Sequence, residues 1–299
     1  MIVLLISSQP AAMTFAEEEK NILHSGEWDY YQNEDGTVTI SGWHGEEEIL
    51  VIPADLDGSQ VTVIGEAAFH ACTDLKEVVI PESVTEIGKH AFEDCIRLEK
   101  ATIPASTKVI GFSAFLFCSS LRDVLIPDSV TVIGEMAFCS CNSLTEVTIP
   151  ASVKEIGKWA FGTCDLLTVI AVSPENENYT VMDGALVEKK TMTLVQYPGG
   201  LTDSSYAIPD GIVKIGENAF MDCNRLTSVT IPGSVTEIGD HAFSLCHGLV
   251  SMVIPESVTK IGVCAFSDCN NLESLQIPES VTEIGDDAFY GCKNLIILS

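Results

Sequence analysis

Val84-Thr85-Glu86-Ile87-Gly88-Lys89-His90-Ala91-Phe92-Glu93-Asp94-Cys95-Ile96-Arg97-Leu98-Glu99-Lys100-Ala101-Thr102-Ile103-Pro104-Ala105-Ser106 is one copy of a unit that recurs along most of this 299-residue chain. Its cysteine exposes the period. Cys72, Cys95, Cys118, Cys141 and Cys164 stand 23 apart, and after a gap of 59 so do Cys223, Cys246, Cys269 and Cys292. Because 59 is 23 plus 36, one insertion of 36 residues interrupts a single register. Nine copies of V-T-x-I-G-x-x-A-F-x-x-C-x-x-L-x-x-V-x-I-P-x-S begin at Val61, Val84, Thr107, Val130, Val153, Ile212, Val235, Val258 and Val281, the last cut short at Ser299.

Length in such an array counts repeats rather than separate cores, so the fold is read from one unit. In Leu75-Lys76-Glu77-Val78-Val79-Ile80-Pro81, the alternation of Val78 and Ile80 with Glu77 and Val79 predicts a short half-buried strand, which proline stops because it has no N–H to continue the pairing. Val84-Thr85-Glu86-Ile87-Gly88 predicts a second β-like segment ending at a glycine free to adopt positive φ. Ala91, Phe92, Cys95 and Leu98 recur at three- and four-residue spacing, which predicts one helical or 3₁₀ turn. One such coil cannot bury its Leu, Val, Ile and Phe alone; stacking at roughly 4.8 Å per strand builds a continuous core. The expected fold class is therefore a repeat solenoid, leucine-rich-repeat-like, made of 23-residue coils of short parallel strands.

The pattern I-G-x-x-A-F-x-x-C-x-x-L-x-x-V-x-I-P, carried nine times over residues 61–299, resembles the BspA-type (treponemal-type) leucine-rich repeat of bacterial and protozoan surface proteins. Residues 26–60 resemble that family's usual opening segment: Trp28 to Gln32, the turn Asn33-Glu34-Asp35-Gly36 and Thr37 to Ile40 read as a hairpin, and Leu50-Val51-Ile52-Pro53 as a half-repeat. The resemblance implies an extracellular or cell-surface location and protein binding or adhesion. It carries over no catalytic residues.

The chain divides accordingly. Residues 1–16 read as a signal peptide, truncated upstream, with an apolar run from Ile2 to Ile6 and Thr14-Phe15-Ala16 before Glu17. Residues 17–60 form an N-terminal hairpin and half-repeat cap, 61–172 repeats one to five, 173–211 an inserted β-meander expected to project from the stack, and 212–299 repeats six to nine. No later stretch has 18 consecutive apolar residues, so no membrane insertion is expected.

Acidic side chains outnumber basic ones 43 to 15, a formal charge of −28 that repels phosphate backbones and anionic lipid and argues against nucleic acid as a partner. A hydrophobic content of 46% separates the chain from disordered acidic tails. Nucleotide-binding, zinc-protease, nucleophile-elbow and CxxC signatures are absent, so no enzyme, cofactor or metal site is expected. His90 and His241 share a repeat position far apart along the stack, and Cys139-x-Cys141 is the one close cysteine pair. The nine ladder cysteines point in parallel at one repeat position, whereas a disulfide needs converging Cβ vectors; they read as buried free thiols.

Binding must then come from positions that vary. On the outward strand face these include Glu77, Lys100, Asp123, Leu125 and Glu146, an open sheet suited to a protein or glycan ligand. On the turn side, Phe112, Leu116 and Phe117 stand where the previous repeat has Lys89, Glu93 and Asp94, and Met136 and Trp159 follow, which suggests an exposed apolar patch. The expected function is a non-enzymatic, secreted or cell-surface binding module; the alternative is a structural spacer within a larger surface protein. Leu295-Ile296-Ile297-Leu298-Ser299 ends on an apolar strand with no polar cap, so the chain is expected to continue or to self-associate there.

Overall fold

The computed structural model describes residues 20–298, and the expected targeting segment lies outside them. The coils stack into a solenoid in which each has three sides. One side is a ladder of short parallel strands such as Glu86–Ile87, paired in register with Val109–Ile110 and through it to Val132–Ile133. The second is a ladder of the Glu77–Val79 type, paired with Lys100–Thr102. The third is a run of turns. Val78, Ile80, Val84, Ile87, Phe92 and Leu98 all point inward with no more than 3% of their surface exposed, so the alternation read from the sequence sets the core.

The expected helical or 3₁₀ turn is not formed, and its replacement follows from the backbone. Ala68, His70 and Cys72 donate to the residue three before, as in consecutive β-turns, while the intervening N–H groups of Ala67, Phe69 and Ala71 donate to Lys89, Ala91 and Glu93 of the next coil. Left-handed residues, Ala67 (φ +55°) and Ala71 (+57°) here and Met136 (+55°) and Ser140 (+59°) in repeat four, turn alternate amides outward along the stack. The turn side is thus a third hydrogen-bonded ladder. Apolar spacing of three and four residues fits this geometry as well as a helix, which is why the sequence misled.

The repeated glycine differs from expectation too. Gly88, Gly111, Gly134 and Gly157 do not have positive φ; instead a Cβ on Gly157 would fall 2.2 Å from the Glu135 nitrogen, and one on Gly88 2.7 Å from the Ile64 carbonyl oxygen. Glycine is required because neighbouring backbones touch there. Inside, Phe69, Phe92, Phe115, Phe138 and Phe161 form a column with successive centroids 4.9–5.6 Å apart and planes within 7° of parallel.

Two shortened coils flank the repeats. At the N-terminus, Leu23–Ser25, Trp28–Gln32 and Val38–Trp43 pair antiparallel, and the last then pairs parallel with Ser59–Ile64. Trp43 occupies the phenylalanine position against Phe69, at 6.0 Å. The segment between repeats five and six follows the same order. Tyr179–Met182, Ala185–Glu188 and Thr193–Gln196 pair antiparallel through a turn at Asp183 (φ +45°) and Gly184 (φ +84°), and the last pairs parallel with Lys214–Ile215. Tyr197 stacks on Phe220 at 5.2 Å. The meander therefore does not project. It sits in line, with Leu186 packed into the core of the first stack and Ala185 and Val187 into that of the second, so one strand is a wall between two cores.

Stability in a stack is nearest-neighbour. Leu144 is fully buried and Glu146 exposed, so Leu144→Asp should cost ~3–5 kcal/mol and Glu146→Ser about 0.5 kcal/mol or less in urea unfolding. Equal shifts in the two midpoints would refute the assignment of inward and outward positions.

Candidate functional site

The strand face carries the positions singled out from the sequence in two outward rows. Glu77, Lys100 and Asp123 are direct neighbours across the ladder, with the Lys100 ammonium 3.3 Å from the Glu77 carboxylate. Lys100, Asp123 and Glu146 are exposed, Glu77 is half-buried, and Leu125 in the second row is 72% exposed. Pairing is interrupted between Asp123–Val124 and Glu146–Ile149, and the gap is a groove of about 380 Å³ that includes Leu125, Glu146 and Thr148. Ile49 and Val51, 63% and 67% exposed, extend the two rows over the half-repeat. The sequence reading passed over both because it treated that segment as cap alone; its alternation with buried Leu50 was the available signal.

Beyond the joint the same face changes character. Ser205, Ser228, Ser251 and Ser274 stand side by side across four strands, with Ala207, Thr230, Val253 and Gln276 in the second row. A groove of about 570 Å³ runs over Ser228, Thr230, Ser251, Val253, Ser274 and Gln276. Neither row holds a charge there, in a chain whose formal charge is −28.

The expected apolar patch on the turn side is not formed as an exposed surface. Leu116 is buried at 9%, Phe112, Met136 and Trp159 are half-buried, and Phe117 alone of the five is exposed. Coils about 5 Å apart let outward side chains lie along one another. Phe112 packs edge-on against His90 with centroids 5.1 Å apart, and the Trp159 indole lies over Gly162, where a Cβ would be 1.6 Å from its Cδ1.

The cysteine column is tied to the backbone of the preceding coil. The thiols of Cys95, Cys118, Cys141 and Cys164 donate to the carbonyls of Phe69, Phe92, Phe115 and Phe138 at 3.1–3.3 Å, and Cys246, Cys269 and Cys292 repeat the arrangement at 2.9–3.0 Å. Cys223 sits 4.0 Å from the Met221 carbonyl, and Cys72, in the first repeat, is half-buried. Burial raises the thiols of Cys118, Cys141, Cys164 and Cys223 and pushes Cys246 up to about 12. These groups resist ionisation and hence nucleophilic chemistry.

One cluster escaped the sequence reading. Among the described residues, ligand atoms of His70, Glu93 and Asp94 lie within 4.8 Å of one another, and His90 Nδ1 is 2.5 Å from Glu93. His70 and Glu93 hold the same repeat position in adjacent coils, so the repeat register itself brings them together.

A family model described as a BspA type leucine rich repeat region of six copies matches residues 53–168 and 201–298, leaving out the meander strands. A leucine rich cell surface protein from Faecalibacterium prausnitzii A2-165 is 29% identical, with 94% of this chain and 95% of that one covered and a TM-score of 0.55. A leucine-rich repeat protein from Bacteroides ovatus ATCC 8483 is 31% identical over 93% of this chain and 71% of that one, with a TM-score of 0.66. One from Eubacterium ventriosum ATCC 27560 is 28% identical over 92% and 76%, with a TM-score of 0.75. No curated protein matches the chain.

The thiols give a pH dependence with a definite sign. Folded Cys246 keeps its proton up to about 12, whereas an unfolded thiol loses it near pH ~8.5, so the stability it contributes is whole below that value and falls as pH rises between the two. Urea midpoints in reductant should drop from pH 8 to pH 10, and less steeply in Cys246→Ala. Ellman's reagent at pH 8 should find few thiols in native protein and close to all eleven after unfolding without reductant; a low denatured count would mean disulfides.

Proposed function

The chain belongs to the BspA-type leucine-rich repeat family, and from that membership we propose that it is a non-enzymatic surface module holding a protein partner on the outward face of its second parallel ladder. The observation that carries this reading is the pair of exposed rows, in which Ile49, Val51, Leu125 and Val253 present bare apolar side chains between charged and hydroxyl neighbours. A solvated face gains nothing from such residues, whereas desolvating them against a partner is favourable. Extracellular display fits the relative described as a cell surface protein, and no helix among the described residues is long and apolar enough to cross a membrane. Adhesion to host or cell proteins is the role this surface serves.

The test is binding of the purified chain to immobilised extracellular-matrix proteins and, in parallel, to glycans. A protein should be retained, with Leu125→Asp weakening retention at least about tenfold, since a charge is placed at a desolvated centre. Glu93→Gln on the turn side should leave it unchanged. Retention by glycans alone, or equal loss in both variants, overturns the reading; no retention at all favours the spacer.

A further inference from the structure

On the turn side, where repeats one and two meet, the side chains of His70, Glu93 and Asp94 converge with their ligand atoms all within 4.8 Å of one another. The turn ladder holds their backbones. The His70 N–H donates to the Ala67 carbonyl at 3.0 Å, the Glu93 carbonyl accepts from the Ala71 N–H at 2.8 Å, and the Asp94 N–H donates to the Leu116 carbonyl at 2.9 Å. His70 Nε2 lies 3.7 Å from Asp94 Oδ2. A zinc ion held at about 2.0–2.2 Å by nitrogen and oxygen ligands keeps them about 3.4 Å apart in a tetrahedron, so that pair is already close to the required spacing and side-chain torsion of Glu93 supplies the rest.

A second histidine stands behind the first three groups. His90 Nδ1 is 2.5 Å from Glu93 Oε2, and the His90 ring is itself fixed edge-on against Phe112 with centroids 5.1 Å apart. Such a partner orients a ligating carboxylate from outside the coordination shell. Among the described residues, neither Glu93 nor Asp94 is paired with a Lys or Arg; each carboxylate meets only an imidazole. His70 also lines an open cleft of about 310 Å³ whose walls include Glu46 and Glu47, so the surrounding field is negative. The combination is confined to this junction: at the positions of Glu93 and Asp94 the later repeats carry Leu116-Phe117, Cys139-Ser140, Gly162-Thr163 and Ser244-Leu245. Because the ligands come from two coils, no contiguous motif marks them.

We propose that His70, Glu93 and Asp94 bind a divalent transition-metal ion of the zinc type, with His90 positioning Glu93. One imidazole and two carboxylates suit zinc, whereas an imidazole ligand disfavours magnesium and calcium. His70 and Asp94 have side chains 47% and 45% exposed, so water fills the remaining coordination position and the ion enters from solvent. The ion joins coil one to coil two, a cross-link between neighbours in a structure whose stability is nearest-neighbour. It binds the native register and not the unfolded chain, in which residues 70 and 93 are unconstrained, so it raises stability by mass action. None of the strand-face residues takes part, and the site stands or falls separately from the face proposed above.

The experiment titrates the full, isotopically labelled chain with zinc chloride in a phosphine reductant and follows heat and imidazole resonances. Zinc should saturate one site per chain, shift the His70 and His90 rings before the other four, and raise the urea midpoint. His90→Ala should weaken binding by about tenfold, and His70→Ala and Asp94→Asn by more. Asparagine is chosen at position 94 because it tolerates the left-handed backbone there (φ +60°). His241→Asn, at the His90 position of repeat seven, should change nothing. Metal-free urea midpoints of the variants should match the wild type, which separates loss of the ion from loss of the fold. Non-saturating uptake spread over the acidic surface, equal binding of calcium, unchanged affinity in His70→Ala or Asp94→Asn, an equal loss in His241→Asn, or a metal-free midpoint that falls enough to explain the lost binding would each overturn the proposal.

Discussion

The spacing between successive coils, close to 5 Å, governs every other feature of this molecule. Two backbones held that close on all three sides leave no room for a Cβ at Gly88, Gly111, Gly134 or Gly157, force the phenylalanines into a parallel column, and bring seven of the nine ladder thiols within reach of a carbonyl one coil back. The same spacing explains the left-handed residues of the turn side. Holding a non-glycine residue there costs ~1–2 kcal/mol, and it persists because the outward N–H it creates is the one that bonds the next coil.

That constraint also decides what could be read from the sequence. The period, the inward positions and the outward rows were legible because each is a property of one unit repeated, and alternation about Val78, Ala101 and Val147 places the exposed face without knowledge of neighbours. The turn side was not, since Ala91, Phe92 and Cys95 have the same spacing in a helix and in linked β-turns. Nor was the fate of Phe112, Met136 and Trp159, whose exposure is set by what the adjacent coil lays across them. The in-line meander was hidden for another reason: Ile40-x-x-Trp43 and Leu194-x-x-Tyr197 have two residues fewer than the Ile-to-Phe interval of the repeats, so neither aligns with the register.

Recognising those two shortened coils as equivalents changes the picture of the chain from one interrupted array to two capped stacks in tandem. Each begins with three antiparallel strands and an aromatic other than phenylalanine heading the column. The strand Ala185–Glu188 serves both, since alternate residues face opposite cores. Asn176 completes the closure of the first: its side-chain amide donates to the Pro150 and Val153 carbonyls while its oxygen accepts from the Asn178 and Tyr179 amides, so a nearly fully buried polar group is satisfied at the point where the repeat pattern stops.

A capped joint inside a solenoid has a cost that an uninterrupted array avoids, because the turn-side ladder must end there with donors unmet. Loss of a hydrogen bond to a buried donor is worth ~1–3 kcal/mol, and repeat five carries three donors that its predecessors pair. An ordinary successor coil would have satisfied them, as repeat six satisfies Tyr197. The joint also separates the strand face into a charged half, with Lys100, Asp123 and Glu146, and a neutral half with its line of serines. In a nearest-neighbour structure the two halves are free to differ in this way, since a change of surface in one stack leaves the core of the other untouched, and the interruption is what makes them separable.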